Sequence, residues 1–287
     1  MTSIDYSEIA VCPRPHGFGA EVTGIALNKP LAASALAEVQ RAWTAHSVIY
    51  FPDQPLDLAQ LENFGRQFGP FGEDPYVKPL AGHPNVLEVR READERAAVF
   101  GAAWHSDWSF QATPPSATIL HAKIVPPLGG NTLFADCYRA FDGLSEVMRD
   151  RLQGLQTLHS AAAAYGPRGV FAQESAKRAM EIIVSETAQN TQTHPLVRTH
   201  PVSGRRALFI NPVYTVGIVG MTKPESDALL GFLFQHLRRE EFLYRHQWQP
   251  HMLTMWDNRC TMHHAEAGYD GHQRVMHRVT IAGERPT

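Results

Sequence analysis

The chain has 287 residues, a formal net charge of −3, 44% hydrophobic and 19% charged residues, the balance of an ordinary globular protein. It carries no basic block or stripe, which argues against nucleic acid or an anionic membrane as the main partner. Its apolar runs are far too short to span a bilayer.

The length suits one hydrophobic core, so a single domain over 1–287 is expected. The start MTSIDYSEIA has neither a cationic nor an apolar leader region. Cys12, Cys137 and Cys260 are widely spaced and form no CxxC pair, which fits a reducing, cytoplasmic setting.

In chain order, Leu36, Val39 and Trp43 line one face of a helix after Pro30. Residues 48–51 read as a buried strand ended by Pro52, and Leu58, Leu61 and Phe64 start a second helical face. Short β-runs follow at 86–91, 117–125 and 132–135. One helix is expected over 140–152, with Phe141, Leu144, Met148 and Leu152 in register. Residues 165–193 fit neither period and read as an excursion of the kind that forms a lid.

A strand is expected at 207–211. Thr222, Pro224 and Glu225 then fit a capping box, followed by Leu229, Leu230, Leu233 and Leu237. The last strands are expected at 242–248, 252–256 and 274–282. Many short strands with few intervening helices predict antiparallel sheets. The fold expected is mainly β with flanking helices, built on a jelly-roll core.

The segment Trp104-His105-Ser106-Asp107-Trp108 places an imidazole and a carboxylate two residues apart. On an extended strand both point to one face and can reach one metal ion. A later histidine completes two imidazoles and a carboxylate, the facial set of non-haem Fe(II) oxygenases. His263 and His264 compete for that place, since neighbours on extended chain point opposite ways. Zinc accepts the same donors, so a zinc-dependent hydrolase and a non-catalytic jelly-roll binding protein stand as alternatives. In residues 274–280, Arg274 and Arg278 share a face. Two guanidinium groups turned inward need acids, and an anionic co-substrate would supply them; a face of surface ion pairs is the plainer alternative.

WHSDWSF, GGNTLF, WDNRCTMHHA and RVMHR, in this order, resemble the taurine dioxygenase / 2,4-dichlorophenoxyacetate dioxygenase superfamily of Fe(II)- and 2-oxoglutarate-dependent oxygenases. The resemblance extends from GAEVTGIAL and VIYFPDQPL to the closing strand. It implies a double-stranded β-helix in which His105, Asp107 and His263 bind iron, with His264 outside the ligand set. It further implies that Thr132 and Arg274 hold the distal carboxylate of 2-oxoglutarate, and that Arg278 pairs with the anionic group of the primary substrate. Dioxygen is the remaining reactant.

The implied reaction hydroxylates a small organic acid of aryloxyalkanoate or sulfonate type. Alignment of FGPFGEDPY puts Asp74 where taurine enzymes hold a sulfonate-binding histidine, which counts against taurine itself, the alternative substrate. Tyr76 and Tyr214 are candidate walls for an apolar body. A homo-oligomer would accord with the family.

Overall fold

The computed structural model describes residues 5–174 and 176–287. The N-terminal part gives strands β1 (Ala10–Pro13), β2 (Ala20–Thr23), β3 (Val48–Phe51) and β4 (Leu87–Arg91), with helices α1 (Ala33–His46) and α2 (Leu58–Arg66). The middle gives β5 (Ala117–Ile124), β6 (Thr132–Asp136), α3 (Cys137–Asp142), α4 (Glu146–Leu152), β7 (Gln156–Ser160), α5 (Ala162–Tyr165) and α6 (Val170–Gln173). Then come β8 (Thr191–Pro195), β9 (Val197–Thr199), β10 (Arg206–Leu208), β11 (Thr215–Ile218) and α7 (Lys223–Leu237). The chain closes with β12 (Leu243–His246), β13 (Leu253–Asp257), β14 (Thr261–Ala265) and β15 (Arg274–Ile281).

The main sheet has seven strands in the order β1-β2-β3-β13-β5-β15-β4. Every pairing in it is antiparallel except β2 with β3. Both of its faces are covered. Ile49, Phe51, Ile119, Leu253, Met255, Val279 and Ile281 pack with Val39 and Trp43 of α1 and with Leu61 and Phe64 of α2. Val48, Tyr50, Leu120, Ala122, Trp256 and Met276 face the other way and meet Phe134 of β6. A strand buried on both faces reads as an unbroken apolar run, and this is why VIYF is legible.

Phe134 belongs to a second sheet, β12-β6-β14. Its outer residues Ala135 and Met262 pack with Phe141 of α3 and with Leu230, Leu233 and Leu237 of α7. The layers are therefore helices, large sheet, an interior seam, small sheet and helices, a mainly β architecture with flanking helices. The functional residues lie in that seam. No helix among the described residues is long and apolar enough to cross a membrane.

Three expectations change. The helix expected over 140–152 is two, because Gly143 ends α3 and the Ser145 side chain caps α4 by accepting from the Met148 N–H. His105 and Asp107 are on no regular strand: His105 makes an isolated bridge with His263, and the chain turns at Asp107. His263 lies inside β14. The 165–193 excursion holds α6 and a short 3-10 turn, and is tied down by Ile183 N–H to Tyr76 O at 2.9 Å and by a bridge between Val77 and Ile182. Ser175 lies outside the described residues.

Candidate metal and co-substrate site

β14 alternates, so His263 points into the seam while Met262 joins the outer core and the His264 ring packs edge-on against Trp104. Two backbone hydrogen bonds, His105 N–H to His263 O at 2.9 Å and His263 N–H to His105 O at 2.7 Å, lock the two histidines side by side. Their ring centroids are 4.2 Å apart. Asp107 Oδ1 lies 3.6 Å from His105 Nε2 and 4.0 Å from His263 Nε2. One donor atom from each of His105, Asp107 and His263 falls within 4.8 Å of the others, and all three residues are buried.

The protonation pattern suits a cation. His105 Nδ1 donates to Ala103 O at 2.7 Å, which leaves the Nε2 lone pair free. Burial, with His105 alongside, pulls His263 down to about 3, so its imidazole is neutral. Burial opposes ionisation of Asp107, yet Arg278, His263 and His105 hold its carboxyl well below the usual range. Two imidazoles and one carboxylate therefore converge, a donor set that fits Fe(II).

A second cluster, His200, Asp257 and Cys260, has comparable spacing but no free valence. Arg259 binds both oxygens of Asp257, at 2.8 and 2.7 Å. His200 Nε2 donates to Asp257 Oδ2 at 3.0 Å, while its Nδ1 accepts from Val202 and Ser203 N–H. A cation there would meet a guanidinium already seated on the carboxylate.

β15 carries Arg274 and Arg278 into the seam together, as their spacing predicts, and both line one cavity of about 50 Å³ with His105, Asp107, His263 and Thr132. Their partners differ. Arg278 lies 3.2 Å from Asp107 Oδ1 and 3.5 Å from Asp74 Oδ1, and these acids raise its pKa against the effect of burial. Arg274 has no carboxylate or hydrogen-bonding partner among the described residues. Its Nε is buried and unsatisfied, and burial pulls its pKa down with only Tyr269 opposing. An unpaired buried guanidinium costs on the order of several kcal/mol. Beside it, Trp248 Nε1 donates to Thr132 Oγ1 at 3.0 Å, so the Thr132 hydroxyl hydrogen is free to donate elsewhere. The Trp248 ring centre is 5.9 Å from the Arg274 guanidinium carbon. This cradle fits a carboxylate.

A larger cavity of about 380 Å³ adjoins the first, sharing Phe100, Gly101 and His105 as walls. Alanines 102, 103, 163 and 164 with Val213, Phe171, Tyr165 and Tyr214 make it largely apolar. Tyr214 is thus a wall, as expected. Tyr76 lines neither cavity; it stacks on Tyr165 at 4.8 Å and props that ring from behind. Asp74 lines neither cavity as well. It accepts from Trp108 Nε1 at 2.5 Å and Thr280 Oγ1 at 3.0 Å, beneath Arg278. Trp108 reaches it from a left-handed backbone position, φ 47°, at the turn after Asp107.

Sequence reasoning missed Thr118, Asn258, Trp248 and Tyr165. Thr118 Oγ1 donates to Asp107 Oδ2 at 2.6 Å, and Asn258 Nδ2 donates to Thr118 Oγ1 at 2.9 Å. A lone threonine within an apolar strand carries no signal of this role, because its partner comes from another segment.

The family model "Taurine catabolism dioxygenase TauD, TfdA family" matches residues 10–280. The chain is 34% identical, over 92% of its length and 94% of the relative's, to an alpha-ketoglutarate-dependent 2,4-dichlorophenoxyacetate dioxygenase of Cupriavidus pinatubonensis. It is 32% identical, over 94% of its length and 83% of the relative's, to an alkylsulfatase of Acinetobacter baylyi. Among solved structures it is similar to AAD-2 in complex with Mn(II) and N-oxalylglycine, with a TM-score of 0.83, 30% identity and coverage of 98% of this chain and 100% of that one. A taurine dioxygenase from Burkholderia xenovorans gives a TM-score of 0.82 at 31% identity, covering 98% of this chain and 91% of that one.

Proposed function

The chain belongs to the taurine catabolism dioxygenase TauD, TfdA family and is an Fe(II)- and 2-oxoglutarate-dependent dioxygenase, and on that premise we propose that His105, Asp107 and His263 hold its iron while Thr132 and Arg274 anchor its 2-oxoglutarate. The observation that carries this reading is the buried guanidinium of Arg274, which has no acid partner among the described residues and lies in a cavity shared with the two histidines and Asp107. A dicarboxylate reaching from the metal to Arg274 supplies that partner. A zinc-dependent hydrolase or a non-catalytic jelly-roll binder leaves Arg274 without a role.

The two facing sheets, with His263 on one and Arg274 and Arg278 on the other, are read as a double-stranded β-helix within a single domain. Residues 165–193 are read as its lid, because Tyr165, Phe171 and Arg178 roof the larger cavity.

Bound iron, with dioxygen, couples the decarboxylation of 2-oxoglutarate to succinate and carbon dioxide with hydroxylation of a C–H bond. The side chains hold and orient. Thr118 and Asn258 fix Asp107 by one oxygen. Burial pushes the Tyr165 and Tyr214 phenols upward, so both stay neutral. The substrate is a small organic molecule whose apolar body fills the larger cavity, an acid of aryloxyalkanoate or sulfonate type by kinship with the relatives.

The test is anaerobic addition of Fe(II) and 2-oxoglutarate, which should give a weak visible charge-transfer band. Arg274→Ala should weaken 2-oxoglutarate binding by about 10–100-fold, the loss of charged hydrogen bonds, and leave iron affinity intact. Unchanged co-substrate affinity in that variant would remove the anchor assignment.

A further inference from the structure

The two cavities differ in what they offer a charged group. In the larger one, Arg178 is the one arginine or lysine among the described wall residues. It donates to both oxygens of Glu174 at 2.9 and 2.8 Å and to Ala98 O at 2.8 Å, and lies 3.9 Å from Glu95. Two acids therefore match its charge. In the smaller cavity, Arg278 has Asp107 at 3.2 Å and Asp74 at 3.5 Å, yet neither contact has hydrogen-bonding direction. Its Nε and Nη2 are buried without a hydrogen-bond partner among the described residues. Buried donors left unused are costly, and an oxyanion relieves them. The acid end of a substrate accordingly belongs on the iron side, and its apolar body in the larger cavity.

That cavity is more than one ring needs. A cavity of about 150 Å³ takes a benzene molecule, and this one measures about 380 Å³. A strip of aromatic wall starts at Phe100, which both cavities share. It continues to Phe171, with ring centroids 5.9 Å apart, and then to Tyr165, a further 5.1 Å. The strip is held from outside: Tyr76 stacks on Tyr165 at 4.8 Å, and the Arg178 guanidinium lies 5.3 Å from the Phe171 ring centre. Much of the remaining wall is alanine, whose small side chain leaves the space open. Ala102, Ala103 and Ala163 are exposed and mark the mouth.

We propose that the substrate is an acid whose body is two linked aromatic rings, and that Ala163 is a specificity-determining residue that leaves room for the outer ring. The proposal rests on the dioxygenase reading above and narrows its substrate. A single-ring acid leaves the outer part of the cavity unfilled and forgoes the burial of a second ring, worth roughly 10–100-fold in affinity. Flat bodies gain further from the ring faces and edges of the strip.

The experiment uses phenoxyacetate and 4-phenylphenoxyacetate, which share the acid end and differ by one ring. Each is titrated anaerobically into the full-length protein loaded with Fe(II) and 2-oxoglutarate, and its dissociation constant is read from the perturbation of the charge-transfer band. The wild type should bind the two-ring acid tighter by about tenfold or more. Ala163→Phe puts a ring of the protein's own at the mouth, and its exposed position spares the fold. In that variant the two-ring acid should lose about tenfold while the one-ring acid binds as before. Equal wild-type affinities, a ratio that the substitution leaves in place, or no perturbation by either probe overturns the proposal. Failure of the band to form in the wild type is a different result, and counts against the dioxygenase reading.

Discussion

Thr118 and Asn258 show how a single hydroxyl governs a metal site. Asp107 Oδ2 accepts from Thr118, which in turn accepts from Asn258, and Trp256 Nε1 donates to Asn258 Oδ1 at 3.0 Å. The other carboxylate oxygen is left facing the two imidazoles. Thr118→Val keeps the shape and removes the donor, so it should weaken Fe(II) binding by about 10–100-fold. Anaerobic metal titration checks this, and full-strength binding in the variant would exclude the positioning role. The HxD spacing was legible in sequence because it depends on residues two apart. Thr118, on a strand reached only through the sheet, was not. Asp74 was singled out by alignment as a carboxylate out of place, but its partner Arg278 became visible only in three dimensions.

At the scale of elements, strand alternation was the dependable guide. Arg274 and Arg278 share a face, and His263 and His264 separate, because the side-chain period of two is local and survives any tertiary context. The 140–152 helix was misjudged for the opposite reason: its apolar residues keep helical spacing across the break, and capping by Ser145 outweighs it.

The loop before β6 depends on Gly129, at φ +70°, where an added Cβ would sit 2.5 Å from Gly268 O. Gly129→Ala forces both a left-handed alanine and a backbone collision, so it should lower stability by about 1–3 kcal/mol. Because Thr132 follows the loop directly, 2-oxoglutarate affinity should fall with it. Urea denaturation and co-substrate titration test the two effects, and a variant as stable as the parent would refute the strain.

The whole molecule carries more histidine than its site requires, and four of the others, His121, His159, His194 and His246, are buried with their pKa values pulled down. Burial, with His194 nearby, takes His159 down to about 3, and burial, with Arg14 and Arg274 nearby, takes His246 down to about 3. The unfolded chain, with histidines near 6.5, binds these protons first. Stability is therefore full above about pH 6.5 and falls as pH drops toward 3, by about 2 kcal/mol for each of His159 and His246 at pH 5. The urea midpoint of the metal-free protein should fall between pH 7 and pH 5, and His159→Gln should flatten that slope. An equal slope in the variant would show that His159 does not drive it.

By itself the sequence determined the donor types, the faces of the strands and the family's order of motifs, since these are set by neighbours within a few residues. Only the tertiary structure decided which acid answers which arginine. Asp74 and Asp107 neutralise Arg278 while Arg274 is left bare, because charge pairing in a buried seam follows from how remote segments cross and not from their spacing along the chain.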